Sequence, residues 1–303
     1  MSQKARVYLT SYATERFAKV QQDLNISAIK NGICNIITYQ ESDLKKSDYY
    51  QKNRSILDEV CGAGYWAWKP YFILEALHHL EENDILFYCD SGSAFLQSPM
   101  PLIKLCEEHS QGMILFDARP LTNRQFTKRD CFVKMECDTK EYWNAKKVIA
   151  TLLVVKKTDF SQYFLQEWLR YCQDRAAITD DPNECGLDNL EGYLQHRWDQ
   201  AILSVLAGKY NIETFRNPTF HGNFLKIPEY RVKNELITSP YYLPPNVSSY
   251  SSTPQINSPY GTIFEINRLP NYLGKQPLPE IKTDKKLTPL KILMKKIRGK
   301  LKI

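Results

Sequence analysis

The chain has 303 residues, 43% hydrophobic and 24% charged, enough for one large α/β domain or two small ones around a real core. The formal charge of +6 is uneven: residues 282–303 carry nine Lys and Arg against one acidic residue, Asp284, leaving 31 basic and 33 acidic residues in the body. A near-neutral body argues against nucleic-acid binding, which asks for a basic face; the eight scattered Cys lack zinc-site spacing, and no apolar run reaches membrane-spanning length.

Residues 6–10 (RVYLT) read as a first strand with no secretory apolar region before it, so a cytoplasmic protein with reduced thiols is expected. Residues 13–30 are compatible with a helix, and CNIIT (34–38) reads as a second strand after the turn signal Asn31-Gly32. A helix over 50–60 is stopped by Gly62 and Gly64, and Pro70 suits the first turn of a helix over 70–82. DILFYCD (84–90), GMILFDA (112–118) and ATLLVVKK (150–157) are short apolar runs that read as strands. Asp159 is placed to cap a helix over 160–172, Asp199 opens another over 199–210, and IETF (212–215) is a short strand. Strands alternating with helices predict an α/β sheet of largely parallel strands. Residues 239–260 are rich in Pro, Ser, Tyr and Asn and read as loop.

Five stretches hold residues suited to chemistry. Asp90 ends an apolar strand, where ligands of open α/β sheets gather, and Gly92 lets the backbone turn or a ligand approach. Asp90 is either a nucleotide or metal contact or a turn carboxylate capping the next segment. In GAGYWAWKP (62–70), Lys69 either meets a phosphate, with Trp66 or Trp68 lining a sugar site, or the stretch plugs the core at a helix start. In QHRWDQ (195–200), His196, Arg197 and Asp199 crowd a helix start. Asp199 there either caps the helix or reaches a ligand, with Gln200 beside it. In FTKRDCF (126–132), Lys128 and Arg129 either neutralise a diphosphate or lie in a solvated loop. His221 is either a metal ligand or a satisfied histidine.

Taken in order, GYWAWKP, DILFYCDSG, FTKRDCF and HRWDQAILSVL resemble bacterial glycosyltransferase-like proteins of the GT-A, nucleotide-diphospho-sugar transferase type, over residues 5–225. The resemblance implies a GT-A-like α/β domain with a mixed, mainly parallel central sheet flanked by helices. It also implies a nucleotide-sugar donor at the sheet's carboxyl edge and a glycan or lipid-linked acceptor. Thr10, Ser11 and Tyr12 follow the first strand, where such enzymes hold the nucleobase and ribose. Lys69, Lys128 and Arg129 are candidates for the phosphates; Trp66, Trp68, Gly92, His196, Arg197 and Gln200 complete the candidate donor site. Asp90 and Asp199 are the candidate catalytic residues. A D-x-D pair in that family holds Mn²⁺ or Mg²⁺; here Asp90 matches its first Asp, and Gly92 stands in the second position. That departure puts the metal site in doubt, with Asp90 and His221 as its candidate ligands.

The organisation expected is a transferase domain over 1–235, a loop-rich extension over 236–281 and a basic tail over 282–303. On a helix, Leu290, Leu293, Met294, Ile297 and Leu301 form one apolar stripe, with Lys291, Lys295, Arg298 and Lys302 largely off it. Such a tail suits an anionic membrane surface, through residues 287–303, at the inner face of the cytoplasmic membrane. A terminal helix docked on the body is the other reading. The function expected is glycosyl transfer in surface polysaccharide or lipopolysaccharide synthesis; the alternative is a non-catalytic nucleotide- or sugar-binding protein on the same fold.

Overall fold

A computed structural model describes residues 5–219, 222 and 256–266. A seven-stranded sheet is built from β1 (Val7–Ala13), β2 (Asn35–Gln40), β3 (Ile85–Cys89), β5 (Met113–Thr122), β6 (Lys146–Val148), β7 (Leu152–Lys156) and β8 (Thr214–Phe215). A two-stranded antiparallel sheet pairs β4 (Ser93–Phe95) with β9 (Phe264–Ile266). The large sheet runs β2-β1-β3-β7-β5-β6, with β8 also on β5. The pairs β1–β2, β1–β3 and β5–β8 are parallel, whereas β3–β7, β7–β5 and β5–β6 are antiparallel. Strands β1, β2, β3, β5 and β8 therefore run one way and β6 and β7 the other, an α/β fold with a mixed, mainly parallel sheet. The expected parallel order is broken by β7, inserted in reverse between β3 and β5.

Helices cover both faces, which is why the central strands read as unbroken apolar runs. Among the described residues, the five long helices are α1 (Ala18–Lys30), α2 (Trp68–His78), α3 (Met100–Glu108), α4 (Asp159–Cys172) and α5 (Trp198–Lys209). Strand side chains alternate between the faces. Leu86, Tyr88, Leu115, Leu153 and Val155 join the core under α2, α4 and α5. Ile85, Phe87, Cys89, Phe116, Leu152 and Val154 join the core that includes Leu24 and Ala28 of α1 and Leu102 and Cys106 of α3.

Local details differ from the sequence expectations for identifiable reasons. The cap of α4 is Thr158, whose side chain accepts from Ser161 N; Asp159 is the first helical residue. The helix expected over 50–60 is two short pieces, Asp48–Lys52 and Arg54–Leu57, separated at Asn53. Residues 256–266, within the expected extension, pack on the body: Phe264 is buried with Phe95 and Phe87, and Tyr260 Oη donates to Arg216 O (2.6 Å). His221 and the tail over 282–303 lie outside the described residues. Among the described residues, no helix is long and apolar enough to cross a membrane.

Trp168 links the core to the sheet edge: it is wholly buried, and its Nε1 donates to the carbonyl of Asp199 (3.0 Å). Trp168→Ala is expected to cost about 3–5 kcal/mol in urea denaturation.

Candidate active site

At the sheet edge where β1 and β3 end and β7 begins, a cavity of about 480 Å³ opens. The exit of β1 contributes Tyr12 and Arg16, and the loop before α2 contributes Gly62, Trp66, Trp68 and Lys69. The exit of β3 contributes Asp90, Ser91 and Gly92, the turn before β7 contributes Ala150 and Thr151, and the start of α5 contributes Arg197, Trp198, Asp199 and Gln200.

Asp90 follows a strand whose five residues are all buried. Its backbone N–H donates to Thr151 O (2.8 Å), which carries the ladder between β3 and β7 one step past the strand. The carboxylate emerges there, its side chain one-third exposed (33%), and accepts from Tyr88 Oη (2.7 Å). Asp199 reaches the same point from the first turn of α5, where a carboxylate is favoured by the helix dipole. Its side chain is 5% exposed.

Between them stands the Lys69 ammonium, 3% exposed. Nζ lies 3.1 Å from Asp90 Oδ1, 3.1 Å from Asp199 Oδ2 and 3.0 Å from the carbonyl of Ala150. The Asp199 contact is an ion pair rather than an aligned hydrogen bond, since Oδ2 meets no donor in hydrogen-bonding geometry. Three oxygens thus surround the Lys69 ammonium. The tyrosine ring of Tyr88 lies 5.5 Å from Nζ and the indole of Trp68 5.9 Å away. Burial opposes the charge on Lys69, but Asp199 and Asp90 outweigh it and hold its pKa above the ordinary lysine value. Burial pushes Asp199 up to about 6, against the pull of Lys69.

The glycine-tryptophan loop has a steric explanation. Gly62 and Gly64 have φ of +59° and +97°. A Cβ on Gly62 would fall 2.1 Å from the Trp66 ring, and one on Gly64 would fall 2.6 Å from Leu57 Cα. Ala63, Tyr65 and Trp66 are also left-handed, as is Trp198. The result stacks Trp66 on Trp198, with ring centroids 5.0 Å apart, at the cavity. Trp68 turns inward, packs on Tyr12 (4.1 Å) and donates from Nε1 to Gly62 O (3.1 Å). Trp68 is buried and Trp66 half-buried, and both border the cavity.

Several expected residues lie elsewhere. Thr10 and Ser11 are buried behind the cavity, and Ser11 Oγ accepts from Gln21 Nε2 (3.0 Å). The stretch over 126–132 ties down the loop before α5 instead of lining the cavity. Lys128 Nζ donates to Asp181 O (2.8 Å), and Asp130 accepts from the backbone N–H groups of Glu184 (2.8 Å) and Cys185 (2.9 Å). Arg129 pairs with Asp138 (2.8 Å) and lies over Trp143. His196 Nδ1 accepts from Lys128 N (3.2 Å); burial and the positive charge of Lys128 lower its pKa to about 3, so the ring is neutral. Lys69 lines the cavity, but its ammonium is engaged by the Ala150 carbonyl and by the carboxylates of Asp90 and Asp199. Gln200 Nε2 donates to Val148 O (2.8 Å).

Sequence reasoning passed over Arg16 and Trp198. Arg16 is exposed, three residues past the end of β1, and its position beyond a strand's carboxyl end was the signal available. Trp198 occupies the variable position of the H-R-x-D-Q stretch.

The donor set does not fit a divalent ion of the D-x-D kind. Gly92 brings no side-chain oxygen, and the space between Asp90 and Asp199 holds an ammonium. Among the described residues, no group of three or more His, Cys, Asp or Glu is arranged to hold a metal.

No protein-family model matches the chain, and no curated protein matches it. Solved structures similar to it include an active-site mutant of LgtC (TM-score 0.41, 11% identity, covering 98% of this chain and 96% of that one). Mouse xyloside xylosyltransferase 1, apo form, is another (TM-score 0.43, 8% identity, 91% and 100%). A third is the galactosyltransferase LgtC with donor and acceptor sugar analogues (TM-score 0.38, 13% identity, 98% and 96%). The architecture given above rests on strand order and register, independently of these likenesses.

Two outcomes follow from this geometry. Gly64→Ala should destabilise the protein by about 1–3 kcal/mol in urea denaturation, because the left-handed backbone and the Leu57 contact both oppose a side chain. A carboxyl raised to about 6 stabilises the fold when protonated: its contribution is complete below the ordinary value of 3.8 and is lost as pH rises through about 6. Thermal denaturation across that window should show the wild type losing stability relative to Asp199→Asn as pH rises, with a constant gap above it.

Proposed function

We propose that the protein is a glycosyltransferase of the GT-A type, moving a sugar, with a hexose the expected group, from a nucleotide-diphosphate-sugar donor to a glycan or lipid-linked acceptor. The observation that carries this reading is the convergence of Asp90 and Asp199, from the β3 exit and the α5 start, in one cavity with indoles and guanidinium groups at the sheet edge where α/β folds bind ligands. Carboxylates suit sugar and ribose hydroxyls, indole faces suit sugar rings, and Arg16 and Arg197 suit a diphosphate. In the reaction an acceptor hydroxyl displaces the nucleoside diphosphate at the anomeric carbon. The C–O bond to the acceptor forms, the C–O bond to the diphosphate breaks, and the leaving group's developing negative charge falls to the guanidinium groups. Asp199 and Asp90 orient the sugar and are the candidates for receiving the acceptor's proton.

Placement at the membrane's inner face rests on the basic amphipathic pattern of residues 287–303; a role in surface polysaccharide or lipopolysaccharide synthesis rests on the resemblance of the four quoted stretches. Gly92, in place of a second carboxylate, favours one other reading, a non-catalytic nucleotide- or sugar-binding protein.

Calorimetry with UDP-, GDP-, CMP- and dTDP-sugars is the test. One donor should bind at micromolar concentration, about tenfold or more weaker to Asp90→Ala and to Arg16→Ala. Slow hydrolysis of that donor, lost in Asp199→Ala, marks an enzyme; binding without turnover marks the second reading. No binding to any donor by folded protein overturns both.

A further inference from the structure

We propose that the Lys69 ammonium holds the place between Asp90 and Asp199 that a divalent cation would take, so that the cavity works without a metal and gains a metal site only when Lys69 is removed. Where the cation sits is independent of the glycosyl-transfer reading; what it does for a donor rests on that reading.

Two carboxylates brought into one buried site repel each other unless a cation stands between them. A metal ion fills that need in many sites, as the largest local charge. Here the need is met by a cation tethered to the chain itself. Lys69 belongs to the first turn of α2, a helix buried along most of its length, and its side chain is 3% exposed. Its Nζ is 3.1 Å from one oxygen of each carboxylate, with the Ala150 carbonyl at 3.0 Å as third partner. A divalent ion drawn to the same two oxygens would meet this ammonium at contact distance in a poorly solvated site. The remaining parts agree. Gly92 offers no ligand, and one lone pair of Asp90 Oδ1 is already used by the Tyr88 hydroxyl (2.7 Å).

With the Ala150 carbonyl bonded to its Nζ and one oxygen each of Asp90 and Asp199 ion-paired to it, Lys69 is a positioning residue. Its charge stands between Asp90 and Asp199 and keeps them close although they are far apart in the chain. The sugar and ribose hydroxyls then meet two fixed acceptors, while the diphosphate falls to Arg16 and Arg197. A purely structural lysine would leave metal affinity unchanged on removal; a lysine in the cation's place would not.

The test is titration of the full chain with Mn²⁺, followed by electron paramagnetic resonance of the free ion, alongside thermal denaturation in Mn²⁺ and in EDTA. Wild type should show no saturable Mn²⁺ binding and the same melting temperature in both. Lys69→Ala should melt lower in EDTA, recover in Mn²⁺ and bind one equivalent, and Lys69→Ala combined with Asp90→Asn should lose that binding. Saturable Mn²⁺ binding by wild type, abolished by Asp90→Asn, overturns the proposal, and the wild-type titration decides this even where Lys69→Ala does not fold. A folded Lys69→Ala that gains no Mn²⁺ affinity also overturns it. Donor binding by wild type should survive EDTA; binding that appears only with Mn²⁺ counts against the proposal. Failure of the glycosyl-transfer reading shows separately, as absence of donor binding in EDTA and Mn²⁺ alike, and leaves the Mn²⁺ titration as a test in its own right.

Discussion

The ammonium of Lys69, held between Asp90 and Asp199, is the contact on which the arrangement of the sheet edge depends. Each of the three groups would be costly to bury alone, and together they are tolerable only because their geometry is fixed from three directions. The β3–β7 ladder fixes Asp90 through Thr151 O. The first turn of α2 delivers Lys69. Trp168, rising from the core, holds the carbonyl of Asp199 and with it the start of α5. The reversed strand β7 has a direct consequence here: its amino end, not its carboxyl end, lies beside Asp90, so the Ala150-Thr151 turn supplies backbone carbonyls to the site.

Around that contact, two of the quoted stretches act as supports. The glycines of GAGYWAWKP allow a run of left-handed residues that turns Trp68 into the core and leaves Trp66 at the cavity, stacked on Trp198. Backbone strain of this kind persists where surrounding packing over-determines it, and it clusters at functional sites. The FTKRDCF stretch anchors the loop that leads to Arg197 and Asp199. Its Lys128 and Asp130 spend their charge on backbone groups of residues 181–185. Motifs that read as chemistry by residue type can thus act one step removed, by setting the position of the residues that line the cavity.

Much of the fold was legible because its signals are local. Apolar runs ending in turn residues located β1, β2, β3, β5, β7 and β8, and helical periodicity located α4 and α5. Asp90 and Asp199 were legible for the same reason: each is a carboxylate at a strand exit or helix start, positions where charge is either solvated or used. The helix over 50–60 was misread because Asn53 interrupts it with a bond to Tyr49 O (2.9 Å) that no periodicity reveals. Lys128 and Arg129 looked like phosphate ligands because a basic pair carries no mark of whether a carboxylate or a phosphate answers it.

The sequence by itself determined the strand and helix alternation, the two-faced burial of the central strands and the identity of the charged residues at element ends, since these follow from patterning over a few neighbours. The tertiary structure decided which charges meet. Whether β7 runs with or against β3, and whether Lys69 points to solvent or between two carboxylates far apart in the chain, depends on packing between distant segments. No local pattern encodes that, because the energy that selects it exists only once both faces of the sheet are covered and water has been excluded from its edge.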